Sequence, residues 1–291
     1  MTLASFIETL KNLNELTKPR LSILSVLTGL VGYGIAPSPF DWVVFFALCF
    51  GMGLSAGSAA ALNQWMERNR DALMERTKER PIPSGRISPK TALVFGITIG
   101  IVGLALLAVF ANLLAMILTL LTLVSYLWIY TPSKSLTPWC TAIGTIPGAL
   151  PPMIGWAAAE GALGMEAWLL FVIMIAWQIP HFMAIAWTYR DDYAKAELPM
   201  ISVVDKTGKS AAFQSFWFSI LLLISSIFFW VLGGDYWIYT SVAVAMGAGM
   251  IFFSLRFYIT EDREVWSKKL FYFTLIYLPV VFGVLVVDVN F

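Results

Sequence analysis

Residues 63–88 read NQWMERNRDALMERTKERPIPSGRIS, and the fold turns on how this stretch is placed. Eleven of the 24 residues from Glu67 to Lys90 are charged, against 13% for the whole chain. Apolar runs flank the stretch on both sides. A charge at the centre of a bilayer costs about 2.5–3.5 kcal/mol or more, so an island this dense belongs outside any hydrocarbon layer.

The rest of the chain supplies that layer. Its 291 residues are 59% hydrophobic and 15% aromatic, with a mean hydropathy of +0.77. A soluble protein is about a quarter charged, so the composition is that of a membrane protein. A net charge of +1 excludes a general polyanion-binding role. Cys49 and Cys140 stand in apolar surroundings without metal-ligand spacing and read as small buried hydrophobes. Residues 1–20 carry Glu8, Lys11, Glu15, Lys18 and Arg20 and have neither a signal-peptide core nor the acid-poor character of a transit peptide.

Nine apolar stretches are long enough to be read as spans, at about 21–36, 42–64, 91–110, 112–130, 138–158, 165–188, 212–232, 236–257 and 270–289. The first and fifth are short or rich in Pro and Gly. Only Ala111 and Asn112 separate the third from the fourth. Nine crossings put all 19 Lys and Arg residues on one side, with Arg256 at its helix end. The other side holds Asp41, Glu160, Glu166, Asp235 and Asp288. The positive-inside rule then places the N-terminus and the large polar loops in the cytoplasm. The expected architecture is an all-α polytopic membrane protein, residues 1–291 forming a single transmembrane domain.

The charged stretch therefore begins at the cytoplasmic end of the second span. Asn63, Glu67 and Asp71 are four residues apart and form one slowly drifting helical stripe. The small residues of GMGLSAGSAAALN (51–63) allow close helix packing, which turns that stripe toward the bundle interior. Glu75 and Glu79 continue the ladder among Arg76, Lys78 and Arg80 and read as a solvated helix of ion pairs. RPIPSGRISP (80–89) then breaks the helix, leaving Arg80 and Arg86 on a shaped loop.

A second cluster ends the sixth span, in WQIPHFMAIAWTYRDDYAKAELPMISVVD (177–205). Pro180 kinks or breaks that span. His181, Thr188 and Asp192 are seven and then four residues apart, on one helical face, with Asp191 about a quarter turn away. The second and sixth spans run parallel, so both acidic ends reach one side. Carboxylates and an amide oxygen suit Mg²⁺, which takes its remaining ligands from water and phosphate. Arg and Lys neutralise the rest of a diphosphate, and the apolar bundle would hold a hydrophobic tail. Ion or proton transport along intramembrane acids is the rival task, and it fits mid-span acids better.

NQWMERNRD (63–71) together with YRDDY (189–193) resembles the two polar motifs of the UbiA superfamily of intramembrane prenyltransferases. With LTKPRLS (16–22), TPWCTAIGTIPGALPPMIGW (137–156) and the 177–205 stretch, the chain is similar to the branch that farnesylates heme. That resemblance implies nine helices around a central cavity, Mg²⁺ as cofactor, farnesyl diphosphate and heme b as substrates, and heme o as product. It assigns metal binding to Asn63, Glu67, Asp71, Asp191 and Asp192, and catalysis to Asp71, Asp192 and His181. Substrate contacts would come from Asn63 and His181, with Lys78, Arg80, Lys134 and Arg190 as a basic rim. Lys18 and Arg20 read as topological anchors. Glu67 stands where Asp is common in the superfamily, and His181 where an acid usually opens the second motif. The implied setting is a bacterial plasma membrane, with a downstream heme-modifying enzyme or terminal oxidase assembly as partner. A quinone-type or other aromatic acceptor, or a heme-handling protein without chemistry, are the alternative functions.

Overall fold

The computed structural model of the chain describes residues 3–232 and 236–291. Asp235, expected among the acids opposite the charged stretch, lies outside the described residues. Among the described residues the structure contains helices and turns and no strand. The helices are α1 (Leu3–Leu16), α2 (Pro19–Gly34), α3 (Trp42–Asp71), α4 (Pro89–Phe110) and α5 (Leu113–Val124). A π-helical turn, Ser125–Tyr130, joins α5 to α6 (Thr131–Ser133). Then come α7 (Cys140–Glu160), α8 (Met165–Thr188), α9 (Arg190–Lys195), α10 (Ile201–Val204), α11 (Lys209–Val231), α12 (Trp237–Ile259) and α13 (Arg263–Asn290).

Seven of these units are long and apolar enough to cross a membrane: α3, α4, Leu113–Ser133, α8, α11, α12 and α13. The chain is a multi-pass membrane protein, with side chains such as Phe50, Ile101, Trp128 and Ile276 left exposed on its flanks. The other two expected spans are also helices. α2 has 16 residues, a rise of about 24 Å, and α7 carries Pro147, Pro151 and Pro152 within it. α7 is buried along much of its length, so its neighbours rather than lipid surround it.

Small residues set the packing, as expected. A Cβ on Gly103 of α4 would lie 2.6 Å from the Gly51 carbonyl oxygen of α3. Ser58 Oγ donates to the Gly96 carbonyl across the same contact, at 2.7 Å. Gly155 of α7 likewise meets the backbone of Gly29 on α2 with no room for a side chain. Between these helices Ser25, Met52, Ser55, Thr119, Pro151 and Ile154 line a small space of about 40 Å³, enough for a water or two.

Three of the acids opposite the charged stretch serve the backbone. Asp41 Oδ1 accepts from the Val43 and Val44 amides at 2.6 and 3.3 Å, capping α3. Glu160 accepts from the Ser38 amide at 2.9 Å, and Asp288 from the Tyr239 amide at 2.9 Å. Asn112 caps α5 through the Ala115 amide and donates to the Ala157 and Ala158 carbonyls. That fastening makes the two-residue turn after α4 possible.

At the other end the polar connections form a cap. α1, which the sequence pattern did not predict, buries Leu16 with Ala61, Ile82, Ile87 and Ala92, and its Leu16 carbonyl accepts from Gln64 Nε2 at 2.8 Å. Met74 from the first polar connection packs on Ala196 and Leu198 from the second. Both charged stretches thus sit over one end of the bundle. Two expectations of helical continuity fail here. α3 stops at Asp71, and residues 72–88 are turns, so Glu75 and Glu79 do not prolong the ladder. α8 runs unbroken through Pro180 but ends at Thr188, with Tyr189 between it and α9, so Asp192 does not share a continuous helical face with His181.

Candidate functional site

The last turns of α3 build the centre of the site. Asn63 is buried, and its Nδ2 donates to Glu67 Oε2 at 2.9 Å and to Thr131 Oγ1 at 3.0 Å. The carboxylate fixes which way the amide faces, because an amide oxygen turned toward it would be repelled. Among the described residues Asn63 Oδ1 has no protein donor, and it is not among the fully enclosed atoms.

The partner comes from the π-helical turn. An extra residue in that turn lets Thr131 Oγ1 donate to the Tyr126 carbonyl five residues back, at 2.9 Å. The same turn brings Lys134 across to Glu67, whose two oxygens accept from its Nζ at 3.0 and 2.9 Å. Lys134 also lies 4.8 Å from the Tyr130 ring centroid, and Tyr130 packs on the bare backbone of Gly144 in α7. One turn lower, Arg80 Nη1 lies 2.7 Å from both oxygens of Asp71, whose side chain is 2% exposed. Thr77 Oγ1 donates to the Asp71 carbonyl at 2.7 Å. These two contacts fold the chain back on the end of α3, which is why the ladder stops there.

Lys18 completes the basic wall, and the sequence reading had it as an anchor. It occupies the break between α1 and α2 in a left-handed conformation, φ 46°. Burial, with repulsion from Arg80 and Lys134, pulls its pKa from 10.5 down to about 7 against the attraction of Asp71 and Glu67. Lys18 also lines a cleft of about 400 Å³ with Lys11, Asn14, Glu15 and Arg20. Lys18, Thr131, Tyr126 and Tyr130 were missed because the π turn and the left-handed residue leave no periodic trace. The KPR of LTKPRLS was the one available signal.

Other expected members lie elsewhere. Lys78 pairs with Glu75 at 2.6 Å, both well exposed, so it belongs to the solvated surface. Arg86 clamps the loop to α1 through Glu15 and Asn12. Arg190 stacks over Trp187 at 4.5 Å and reaches Glu264 of α13 at 3.6 Å. Asp191 is exposed and Asp192 half-buried on α9, and among the described residues neither carboxylate has a hydrogen bond or ion pair. His181 packs toward α13, with Nδ1 2.8 Å from Thr274 Oγ1 and its ring stacked on Trp177 at 4.8 Å.

The expected five-residue metal set is therefore not drawn together. Among the described residues no three His, Cys, Asp or Glu side chains converge on a metal position. Gathered carboxylates repel one another, and each acid of α3 has its own base instead. The donor chemistry nevertheless suits Mg²⁺. Asn63 Oδ1 is unpaired, Glu67 and Asp71 offer hard oxygens, and Mg²⁺ needs few protein ligands when phosphate and water supply the rest.

Comparison with known proteins gives the family. The chain is 43% identical over 274 residues to the protoheme IX farnesyltransferase of Opitutus terrae, covering 94% of this chain and 93% of that protein. Its fold matches the structure of a digeranylgeranylglyceryl phosphate synthase with a TM-score of 0.81, at 20% identity, over 97% of this chain and 99% of that one. A UbiA homolog from Archaeoglobus fulgidus bound to GPP and Mg²⁺ aligns with a TM-score of 0.65 and 15% identity, covering 94% and 99%. Residues 25–276 match the model of the UbiA prenyltransferase family, and the chain belongs to that family.

Proposed function

We propose that the protein transfers a farnesyl group from farnesyl diphosphate to a vinyl carbon of heme b, with addition of water, giving heme o and diphosphate. The single observation that carries the chemistry is the paired wall of Asn63, Glu67–Lys134 and Asp71–Arg80 at one end of an apolar bundle. The acceptor is supported by the Opitutus terrae relative, whose name states it.

In this reading the diphosphate enters from the cleft beside Lys18 and exchanges the bases from carboxylate to phosphate. Lys134 and Arg80 turn to the phosphate oxygens, and Lys18 gains the anion that holds its proton. The acids so released, with Asn63 Oδ1, would hold Mg²⁺, joined by Asp192 and Asp191 when α9 approaches. When bound, Mg²⁺ supplies charge neutralisation of the leaving diphosphate. Lys134 and Arg80 stabilise the same developing charge through fixed donors. The farnesyl chain displaces flexible side chains such as Met52 from the narrow interior. Its allylic C–O bond breaks, and apolar walls shield the cation until the vinyl terminal carbon bonds to it. The new cation, beside the porphyrin ring, takes water and loses a proton. His181 lies on the acceptor's side. α2 and α7 span with the other seven, and the N-terminus and site face the cytoplasm of a bacterial cell.

Labelled farnesyl diphosphate, Mg²⁺ and either heme b or a quinone precursor, added to the purified protein, provide the test. Transfer to heme b with loss of diphosphate is expected. Label found on the quinone precursor alone would overturn the assigned acceptor.

A further inference from the structure

Thr274 Oγ1 donates its one proton to the Phe271 carbonyl, at 2.5 Å. Toward His181 Nδ1, 2.8 Å away, the hydroxyl can therefore act only as acceptor. Nδ1 must carry the ring proton, and in the neutral imidazole this leaves the lone pair on Nε2. Among the described residues none donates to Nε2, and it is not among the fully enclosed unpaired atoms, so accessible space reaches it.

The ring cannot turn away. Trp177 stacks on it at an interplanar angle of 19°, and Phe271 and Phe182 lie 5.2 and 5.3 Å from its centroid. The Trp177 indole is itself tied to the Thr274 carbonyl at 2.9 Å. An imidazole with one nitrogen hydrogen-bonded through its proton and the other bare is in the state that binds metal. The surroundings are aromatic and apolar, which suits a porphyrin face.

Its depth also matches the diphosphate wall. His181 lies seven residues before the end of α8, and Asn63 eight before the end of α3. At 1.5 Å per residue both sit about 10–12 Å inside those ends. The α7 turn between Gly144 and Gly148 touches Tyr130 on one side and Gln178, one helical turn from His181, on the other.

Resting on the heme reading above, we infer that His181 Nε2 is an axial ligand of the substrate's iron. Thr274 is the positioning residue that fixes the tautomer. Iron coordination then holds the porphyrin so that a vinyl group faces the allylic carbon.

Ferrous and ferric heme b, with metal-free protoporphyrin IX as control, test this on the purified full-length protein. The ferrous wild-type complex should show an iron–histidine vibration by resonance Raman. His181→Ala should abolish that band and weaken heme binding at least tenfold, while farnesyl diphosphate still binds. Thr274→Val removes the acceptor at nearly constant volume. It should shift the iron–histidine frequency and lower heme affinity about tenfold, and Thr274→Ser should restore both. Binding of metal-free protoporphyrin should be indifferent to His181→Ala. An unchanged heme spectrum and affinity in His181→Ala would overturn the ligand assignment. A wild-type band unmoved by Thr274→Val would overturn the role of Thr274. Wild-type protein with the histidine band but no farnesyl transfer would support the coordination and sink the proposed reaction instead.

Discussion

The Glu67–Lys134 pair is where the stability of the site can be separated from its chemistry. Both side chains are largely buried, 11% and 18% exposed, and two short hydrogen bonds join them. Removing one partner of a buried pair leaves the other charge uncompensated and costs about 3–5 kcal/mol, whereas replacing both is often close to neutral. The partial exposure, and the Tyr130 ring that remains beside Lys134, reduce this to about 2–3 kcal/mol for either single change. Glu67→Gln and Lys134→Met should therefore each shift the unfolding equilibrium about 30- to 150-fold, while the double variant lies within about 1 kcal/mol of wild type. Unfolding in mixed detergent and SDS micelles, without substrate or metal, measures all four corners of the cycle. All three variants should be inactive, so stability is the informative readout. Losses that simply add, or singles as stable as wild type, would refute the idea that the resting site is neutralised by this pair.

Lys18 makes a prediction in pH. A base whose pKa is lowered to about 7 is mostly neutral at pH 8, and a bound diphosphate favours its ammonium form. Farnesyl diphosphate binding at pH 8 should take up close to one proton, seen by calorimetry in buffers of different ionisation enthalpy. Lys18→Met should lose that uptake and bind about tenfold more weakly; equal uptake in both proteins would return Lys18 to an anchoring role. Asp71→Asn and Asp192→Asn should each abolish turnover in folded protein, whereas Glu75→Gln, at an exposed pair, should leave kcat within about twofold. Similar losses in all three would erase the boundary drawn between site and surface. Cysteine probes at Ser84 and Thr207 should be labelled only from the cytoplasmic side and one at Gly161 only from the opposite side, with outside labelling of Ser84 reversing the orientation.

Composition and helical periodicity by themselves determined much of this protein. An apolar chain with its charges gathered between long apolar runs has to be a helical membrane bundle with polar connections outside it, because hydrocarbon excludes charge whatever the helices pack against. The Asn63–Glu67–Asp71 face is equally local, since four residues return a helix to nearly the same side. Tertiary structure alone decided what those residues meet. Lys134 reaches Glu67 from 67 residues away and Thr274 reaches His181 from 93, separations at which no short-range pattern operates. Backbone departures decided the rest. A π-helical turn swings Thr131 and Lys134 inward, a left-handed Lys18 turns α1 back toward the site, and the fold-back of Arg80 ends α3 at Asp71. The π-helical turn meets its partners, Asn63 and Glu67, across the bundle, so what that departure accomplishes exists only once the helices have packed.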